Sequence, residues 1–323
     1  MSTIICLGEV LFDLLADQIG VSADQVTSWT PLAGGAPANV ACGLVKMGDR
    51  SRFIGCVGDD QPGRNLMAKL QSISVDISGV QVHPTAPTRQ VQVVRDLDGD
   101  RSFGGFGGIP TDRFADAQLS EVPAELFVGA DFLQLGTLAL AYPASAASTW
   151  QAVEMAKAQS TKILVDVNWR PSFWPDLAAA LTPIRQLLLQ ADYIKFAKEE
   201  AELLYGETMP LKLCQHLPQA QGIMVTDGGS VCRYWLHGTQ GEQAAFKVNA
   251  VDTTGAGDAF VAGLLHQLGA RQSATEIVRY ASVAGALTTL KPGAIDAQPT
   301  HAEILDFVKK SEQIAMEISL ITP

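Results

Sequence analysis

The stretch that decides the fold and the chemistry of this chain reads Val251-Asp252-Thr253-Thr254-Gly255-Ala256-Gly257-Asp258-Ala259-Phe260. It stands between a segment with a strand pattern, 244–248, and a segment with a helix pattern, 259–268. Small residues at the start of a helix leave backbone N–H groups exposed, and these groups bind an anion together with the helix dipole. Asp258 adds a carboxylate beside that position. An anion site next to a proton acceptor is what phosphoryl transfer to a hydroxyl requires.

Two other interpretations of this stretch stay open on its residues alone. A dinucleotide-binding fingerprint requires a third glycine, but Phe260 occupies that position, and the stretch lies late in the chain rather than in a first βαβ unit. The other interpretation is an ordinary glycine-containing turn, with Asp258 as the first acid of a helix. Short motifs also occur by chance, so the rest of the chain has to decide between these interpretations.

Composition and charge limit the classes of function. The chain has 323 residues, of which 47% are hydrophobic, and a formal net charge of -11. We expect no nucleic-acid partner, because binding a phosphate backbone needs a basic face, whereas backbone amides suffice for a nucleotide. With no signal peptide and no membrane-spanning run, we expect a cytoplasmic protein without a membrane partner. Widely spaced cysteines predict reduced, mostly buried thiols at Cys6, Cys42, Cys56, Cys214 and Cys232.

Strand and helix patterns alternate along most of the chain. This alternation predicts an α/β fold with three layers, in which helices cover both faces of a mostly parallel sheet. The segment 80–106 breaks the rhythm with alternating strands and an Asp98-Gly99 turn, which predicts a small added β-sheet. Such a sheet is expected either to close over a site as a lid or to be an ordinary edge hairpin.

A second glycine motif near the N-terminus reads Ala33-Gly34-Gly35-Ala36-Pro37-Ala38-Asn39. The glycine pair lets the backbone approach a ligand closely, and Asn39 offers both a donor and an acceptor. Upstream, Asp13 is expected to end the first strand, at the carboxyl edge of the sheet where ligands of such folds bind. Taken singly, these features have ordinary explanations as a loop, a helix cap and a solvated acid.

Together the motifs resemble those of the ribokinase-like sugar kinases, the PfkB carbohydrate kinase family. The two glycine motifs occur in the order of that family, and the likeness extends over nearly the whole chain. The form at 34–41 is most similar to fructokinases, as are the segments 166–174, 195–200 and 222–228. The resemblance implies a single domain over 1–323, with a β lid made from about 10–33 and 80–108. It also implies ATP-dependent phosphorylation of the 6-hydroxymethyl group of D-fructose.

The resemblance further implies roles for individual residues. Asp258 would act as the base, and the anion hole would be formed by the amides of Gly255, Ala256 and Gly257. The sugar is expected to contact Asp13, Gly34, Gly35, Asn39, Phe103 and Arg170. The nucleotide is expected to contact Lys195, Thr226, Gly228 and Ser282. Mg²⁺ is expected at Glu200 through water, and K⁺ at Asp252 and Thr254.

Several alternatives stay open beside a fructose kinase. The same chemistry on 2-keto-3-deoxygluconate or a ribonucleoside-like sugar is one, because the lid segment 103–108 is glycine-rich where relatives often carry arginine or bulky residues. A sugar-binding regulator without catalysis is another, although the intact Asp258 disfavours it. Arg170 is alternatively expected to pair with Asp166 or Asp176. An apolar edge at 91–94 predicts a homodimer formed through the lid.

Overall fold

A computed structural model describes residues 1–97, 101–174 and 176–321. These residues form the strands β1 (Thr3–Leu7), β2 (Leu11–Ile19), β3 (Trp29–Gly34), β4 (Arg50–Gly58), β5 (Asp76–His83), β6 (Gln90–Arg95), β7 (Arg101–Gly105), β8 (Phe132–Leu135), β9 (Lys162–Asp166), β10 (Tyr193–Ala197), β11 (Gly222–Asp227), β12 (Val231–Leu236) and β13 (Thr239–Ala244). The helices are α1 (Ala36–Met47), α2 (Gln61–Ser72), α3 (Pro143–Ala158), α4 (Leu177–Leu188), α5 (Lys198–Tyr205), α6 (Pro210–Leu213), α7 (Ala256–Gly269), α8 (Ala274–Thr288), α9 (Ala294–Ala297) and α10 (His301–Ile321). Among the helices of these ranges, none has the length and apolar character needed to cross a membrane.

The large sheet has the strand order β13-β12-β11-β10-β9-β8-β1-β4-β5. Its strands from β11 to β5 run parallel to one another, and β12 and β13 add an antiparallel edge. The carboxyl ends of the parallel strands therefore meet at one edge of the sheet. That edge is where ligands bind in open α/β sheets.

Both faces of the large sheet are covered by helices. Along β1, Ile4 and Cys6 belong to a core shared with α1, α7 and α8, whereas Ile5 and Leu7 belong to a core shared with α3, α4 and α5. Successive side chains of a strand point to opposite faces, so a strand buried on both sides has a continuous apolar sequence. The predicted three-layer α/β/α fold is confirmed.

The second sheet is small and has the order β3-β2-β6-β7. The β6–β7 pair is antiparallel, as the alternating pattern predicts, while the predicted turn at 98–100 lies outside the described residues. Residues 80–83, which the prediction assigns to the lid, instead form the end of β5 in the large sheet. They pair with β4, so the later part of the small sheet begins only at β6.

Two local predictions are corrected by the structure. Asp13 does not end the first strand: β1 ends at Leu7, and Asp13 lies within β2, where it is the register partner of Leu32 and Val91. The chain thus leaves one sheet and enters the other before Asp13. The strand predicted at 244–248 is also wrong, because β13 ends at Ala244. Ala244 pairs with Val231, which is the first residue of β12, so β12 offers no further residue with which 245–248 could pair.

Candidate active site

A cavity of about 740 Å³ lies between the carboxyl edge of the large sheet and the small sheet. Residues that follow β1, β8 and β9 line one side of it, together with the end of β10. Residues of all four strands of the small sheet line the other side. The stretch Thr253–Asp258, at the start of α7, contributes to the same cavity. We call it the first cavity.

Backbone amides at the start of α7 face this cavity. Gly255 precedes the helix with φ +80°, and a Cβ there would lie 2.8 Å from the Cβ of Ala294, so the position requires glycine. In the part of the chain that the structure describes, the amides of Gly255 and Gly257 have no hydrogen-bond acceptor outside the helix. The amide of Ala256 was predicted to bind the anion, but it donates instead to the carbonyl of Thr253 at 3.2 Å. Two of the three predicted donors therefore remain for an anion.

Asp258 joins the two glycine motifs. Its Oδ2 accepts a hydrogen bond of 2.7 Å from Nδ2 of Asn39, which lies on α1 and 219 positions earlier in the chain. Burial raises the pKa of Asp258 to about 6, while the hydrogen bond from Asn39 lowers it and the nearby carboxylate of Asp166 raises it. The Asp258 carboxylate is thereby oriented toward the cavity wall that carries Asn39.

The wall around Asn39 carries most of the residues predicted to bind sugar. Oδ1 of Asn39 is buried and has no hydrogen-bond partner within the described residues, so it is an available acceptor at the cavity. Gly35 has φ +108°, and a Cβ there would lie 2.4 Å from the carbonyl oxygen of Glu9. A Cβ on Gly34 would lie 3.2 Å from Oδ2 of Asp13. Burial raises the pKa of Asp13 to about 6, against the guanidinium groups of Arg101 and Arg170, which lower it.

Phe103 and Arg170 also line the first cavity. Phe103 is 49% exposed and packs edge-to-face on Phe106 with the ring centroids 5.0 Å apart. Arg170 donates through Nη1 to the carbonyl of Trp169 at 3.3 Å. The cavity wall thus offers an apolar ring from the small sheet and a guanidinium from the large one.

The alternative pairing of Arg170 is not observed. Asp166 lies 3.0 Å from Nζ of Lys195, and Asp176 accepts from the amide of Ala178 at the start of α4. Over the described ranges, Arg170 takes part in none of the ion pairs. Its charge is therefore directed at the cavity, where it lowers the pKa of Asp13 and Asp258.

Lys195 and Glu200 lie at the end of the first cavity next to residues 252–257, which we call the anion loop. A Cβ on Gly257 would lie 3.3 Å from Nζ of Lys195. Burial lowers the pKa of Lys195, but the carboxylates of Asp166 and Glu200 outweigh it, so that the net shift is upward and the amine stays charged. The Glu200 carboxylate accepts from the amides of Trp169 and Ala197, each at 2.6 Å. It is thus fixed by the backbone rather than exposed on a helix surface.

A second cavity of about 660 Å³ meets the first one at Thr253 and Gly257. Thr226, Gly228 and Ser282, three of the residues predicted to bind nucleotide, line it. Its remaining lining is largely uncharged and comes from β12, the segment after β13, α7 and α8. The fourth predicted nucleotide residue, Lys195, lies in the first cavity instead. The two cavities therefore meet at the anion loop from opposite sides.

Comparison with known protein families matches residues 1–301 to the pfkB family of carbohydrate kinases. The chain belongs to this family. The carbohydrate kinase is 33% identical to fructokinase-1 of Zea mays over 320 residues, which cover 95% of this chain and 98% of that protein. A fructokinase of Xylella fastidiosa with bound ATP has a TM-score of 0.84 at 28% identity, covering 96% and 99% of the two chains. A fructokinase double mutant of Vibrio cholerae O395, in a form with bound fructose, ADP and a potassium ion, has a TM-score of 0.80 at 28% identity, with coverages of 95% and 98%.

Sequence reasoning missed two charged residues in the first cavity of this carbohydrate kinase. Glu9 follows β1 directly, its Oε1 accepts from the amide of Ala36 at 2.9 Å, and burial raises its pKa to about 7. Glu9 lies between a buried strand and a glycine motif, and this position was the sequence signal that could have identified it as a cavity residue. Arg101 reaches the cavity from β7. No sequence signal linked it to the anion loop, with which it forms contacts across more than 150 positions.

Proposed function

We propose that this carbohydrate kinase transfers the terminal phosphoryl group of ATP to the 6-hydroxymethyl group of D-fructose. The observation that carries the proposal is the Asn39–Asp258 contact at the junction of two cavities, one charged and one largely uncharged. The first cavity suits a polyhydroxylated sugar, because it offers carboxylates and an available amide oxygen as acceptors. The second suits a planar base, because its lining is mostly apolar. The fructokinases among the relatives support fructose as the acceptor.

In the proposed reaction, Asp13 and Asn39 orient the sugar so that its hydroxyl group lies against Asp258. The carboxylate of Asp258 accepts the proton of that hydroxyl group as the oxygen attacks. Because the transition state of phosphoryl transfer is loose, the proton leaves late, and position matters more than basicity. The amides of Gly255 and Gly257 and the ammonium of Lys195 stabilise the charge on the transferred group.

A divalent cation belongs to this proposal. Mg²⁺ prefers oxygen ligands and keeps several of its waters, and the carboxylates of Asp166 and Glu200 line the first cavity beside Lys195. Each is a suitable acceptor for a metal-bound water. When bound with ATP, Mg²⁺ neutralises phosphate charge. Among the described residues, no group of three or more His, Cys, Asp or Glu side chains forms a site for a bare metal ion.

The remaining predictions concern the lid and the surroundings of the enzyme. We propose that the small sheet acts as a lid on the sugar, because Leu15, Val93 and Phe103 line the first cavity from three of its strands. The homodimer through this sheet, the cytoplasmic location and the potassium site stay predictions.

A panel of sugars tests the proposed substrate. With ATP and Mg²⁺ in a coupled assay for ADP, we expect the highest kcat/KM for D-fructose. A higher kcat/KM for 2-keto-3-deoxygluconate or a ribonucleoside-like sugar contradicts the choice of fructose while leaving the chemistry intact. Sugar binding in calorimetry without turnover of any sugar supports the non-catalytic regulator instead.

A further inference from the structure

Arg101 connects the small sheet to the anion loop. It is the first residue of β7, and its side chain is 30% exposed. Nη2 lies 3.0 Å from Oδ2 of Asp252, and Nη1 donates to Oγ1 of Thr254 at 2.9 Å. The guanidinium therefore binds the side chains of both residues whose oxygens the family resemblance implies as K⁺ ligands, together with carbonyls near 291–294.

The carboxylate of Asp252 has little capacity left for a metal ion. Its side chain is 3% exposed. Oδ1 accepts from the amide and the hydroxyl group of Thr254, at 3.0 and 2.7 Å. Oδ2 accepts from the amide of Gly293 at 2.8 Å and contacts Arg101. A carboxylate offers about four acceptor sites, and here all of them have donors. A potassium ion does not fit these side-chain oxygens while Arg101 is in place.

We propose that Arg101 supplies, from the lid, the positive charge that a monovalent cation would otherwise supply at Asp252, and that it thereby positions the anion loop. Thr254 directly precedes Gly255, whose amide is one of the two available donors. Fixing the Thr254 hydroxyl group fixes the turn that aims this amide. The expected effect on catalysis rests on the proposed function, in which the Gly255 amide stabilises the transferred group. The replacement of a potassium ion by the guanidinium of Arg101 does not depend on that function.

An arginine suits this task better than other side chains. Its planar guanidinium presents two parallel donors, and here they meet a carboxylate oxygen and a hydroxyl oxygen at the same time. A lysine would keep the charge but could not present two parallel donors. Because the arginine belongs to the small sheet, the anion loop is complete only when that sheet is docked. The charge at Asp252 and the position of the lid are thus coupled.

The same sheet contains a matched control. Arg95 on β6 is the register partner of Arg101. Its guanidinium donates to the carbonyls of Ala16 and Asp17, both within β2 of the same sheet. Arg95→Gln therefore removes an arginine from the lid without touching Asp252. Arg101→Lys is the conservative variant.

The experiment compares the wild type, Arg101→Gln, Arg101→Lys and Arg95→Gln in potassium chloride and in tetramethylammonium chloride. Thermal unfolding and kcat are measured in both salts. We expect the wild type, Arg101→Lys and Arg95→Gln to give the same Tm in the two salts. For Arg101→Gln we expect a higher Tm in K⁺ and a kcat that falls about tenfold in tetramethylammonium and recovers in K⁺, because the turn loses its counter-charge and the ion restores it.

Two results would overturn the proposal. One is a wild type that K⁺ stabilises as strongly as it stabilises Arg101→Gln; the other is an Arg101→Gln variant whose Tm does not respond to K⁺. Adding Asp252→Asn to Arg101→Gln must remove the K⁺ response if the ion binds at this carboxylate. The Tm readout needs no turnover, so it decides this proposal even if no sugar is phosphorylated and the proposed function fails.

Discussion

The two cavities that meet at the anion loop differ in charge. The first is lined by acids and cations, namely Glu9, Asp13, Asp166, Glu200, Asp258, Arg101, Arg170 and Lys195. In the second, Lys247 is the one charged side chain among the described lining residues. Charged groups change the pKa of their neighbours and can move protons, whereas an apolar lining selects by shape. The comparison supports the division made in the proposed function, with the chemistry on the charged side of the loop and nucleotide recognition on the largely uncharged side.

The largest effect that this comparison predicts is at the base in the first cavity. We expect Asp258→Asn to lower kcat by about 10³–10⁴-fold, because the attacking hydroxyl group loses its proton acceptor. Sugar binding, measured by calorimetry, should be largely kept. Asp306→Asn on the surface of α10 is the control and should leave kcat unchanged. If Asp258→Asn retains most of its turnover, the base has been assigned to the wrong residue.

A somewhat smaller effect is expected at the loop where the cavities meet. Gly255→Ala forces a Cβ against Ala294 and strains a residue with φ +80°, so the backbone donor shifts and kcat should fall about 10²–10³-fold. Gly206→Ala is the matched control, because it has φ +63° and no heavy atom within 4 Å of the new Cβ. In urea unfolding, Gly206→Ala should lose stability from backbone strain alone, and Gly255→Ala should lose more because of the added contact with Ala294. Equal losses of kcat would mean that general strain, and not the anion loop, is responsible.

The second cavity is tested by filling it. Ser282 lines this cavity from α8, with its hydroxyl group bonded to the carbonyl of Val278. We expect Ser282→Leu to raise the KM for ATP about tenfold, since added methylene groups occupy nucleotide space, and to leave the KM for the sugar unchanged. Ser311→Leu on α10, where the hydroxyl group likewise bonds within its own helix, is the control. A rise in the sugar KM alone would contradict the division between the cavities.

The smallest expected effect is a shift of the pH profile. Burial raises the pKa of Asp258 and of Asp13 to about 6, and both act as carboxylates, so kcat/KM should fall as the pH drops through that value. Asn39→Ala removes a hydrogen bond that lowers the pKa of Asp258, and the acid limb should move up by as much as about one pH unit. Asn65→Ala on α2 should leave the profile in place. If the acid limb of the pH profile does not move in Asn39→Ala, a group other than Asp258 controls that limb.

The sequence contained most of the fold and part of the site. The patterns of β1, α1 and α7 follow from local periodicity, and the two glycine motifs identified the loops that meet at Asp258. Asp13 was misplaced because a strand that passes from one sheet to another has no local signal. The segment after β13 was predicted as a strand because most of its residues are apolar, although they line the second cavity. Side-chain contacts between distant segments could not be predicted, because they too have no local sequence signal, as the ion pair between Arg101 and Asp252 shows.

The proposed base Asp258, the available amides and the ammonium group of Lys195 all lie on the three-layer core, whereas Phe103 and Arg101 lie on the small sheet. Gly255, Gly257 and Asp258 also occupy a single helical turn, so a movement of the small sheet against the core leaves their relative positions unchanged. A change of the β6–β7 hairpin would therefore alter the wall that faces the proposed sugar, and it would also remove the contacts with Asp252 and Thr254 unless an arginine is kept at position 101.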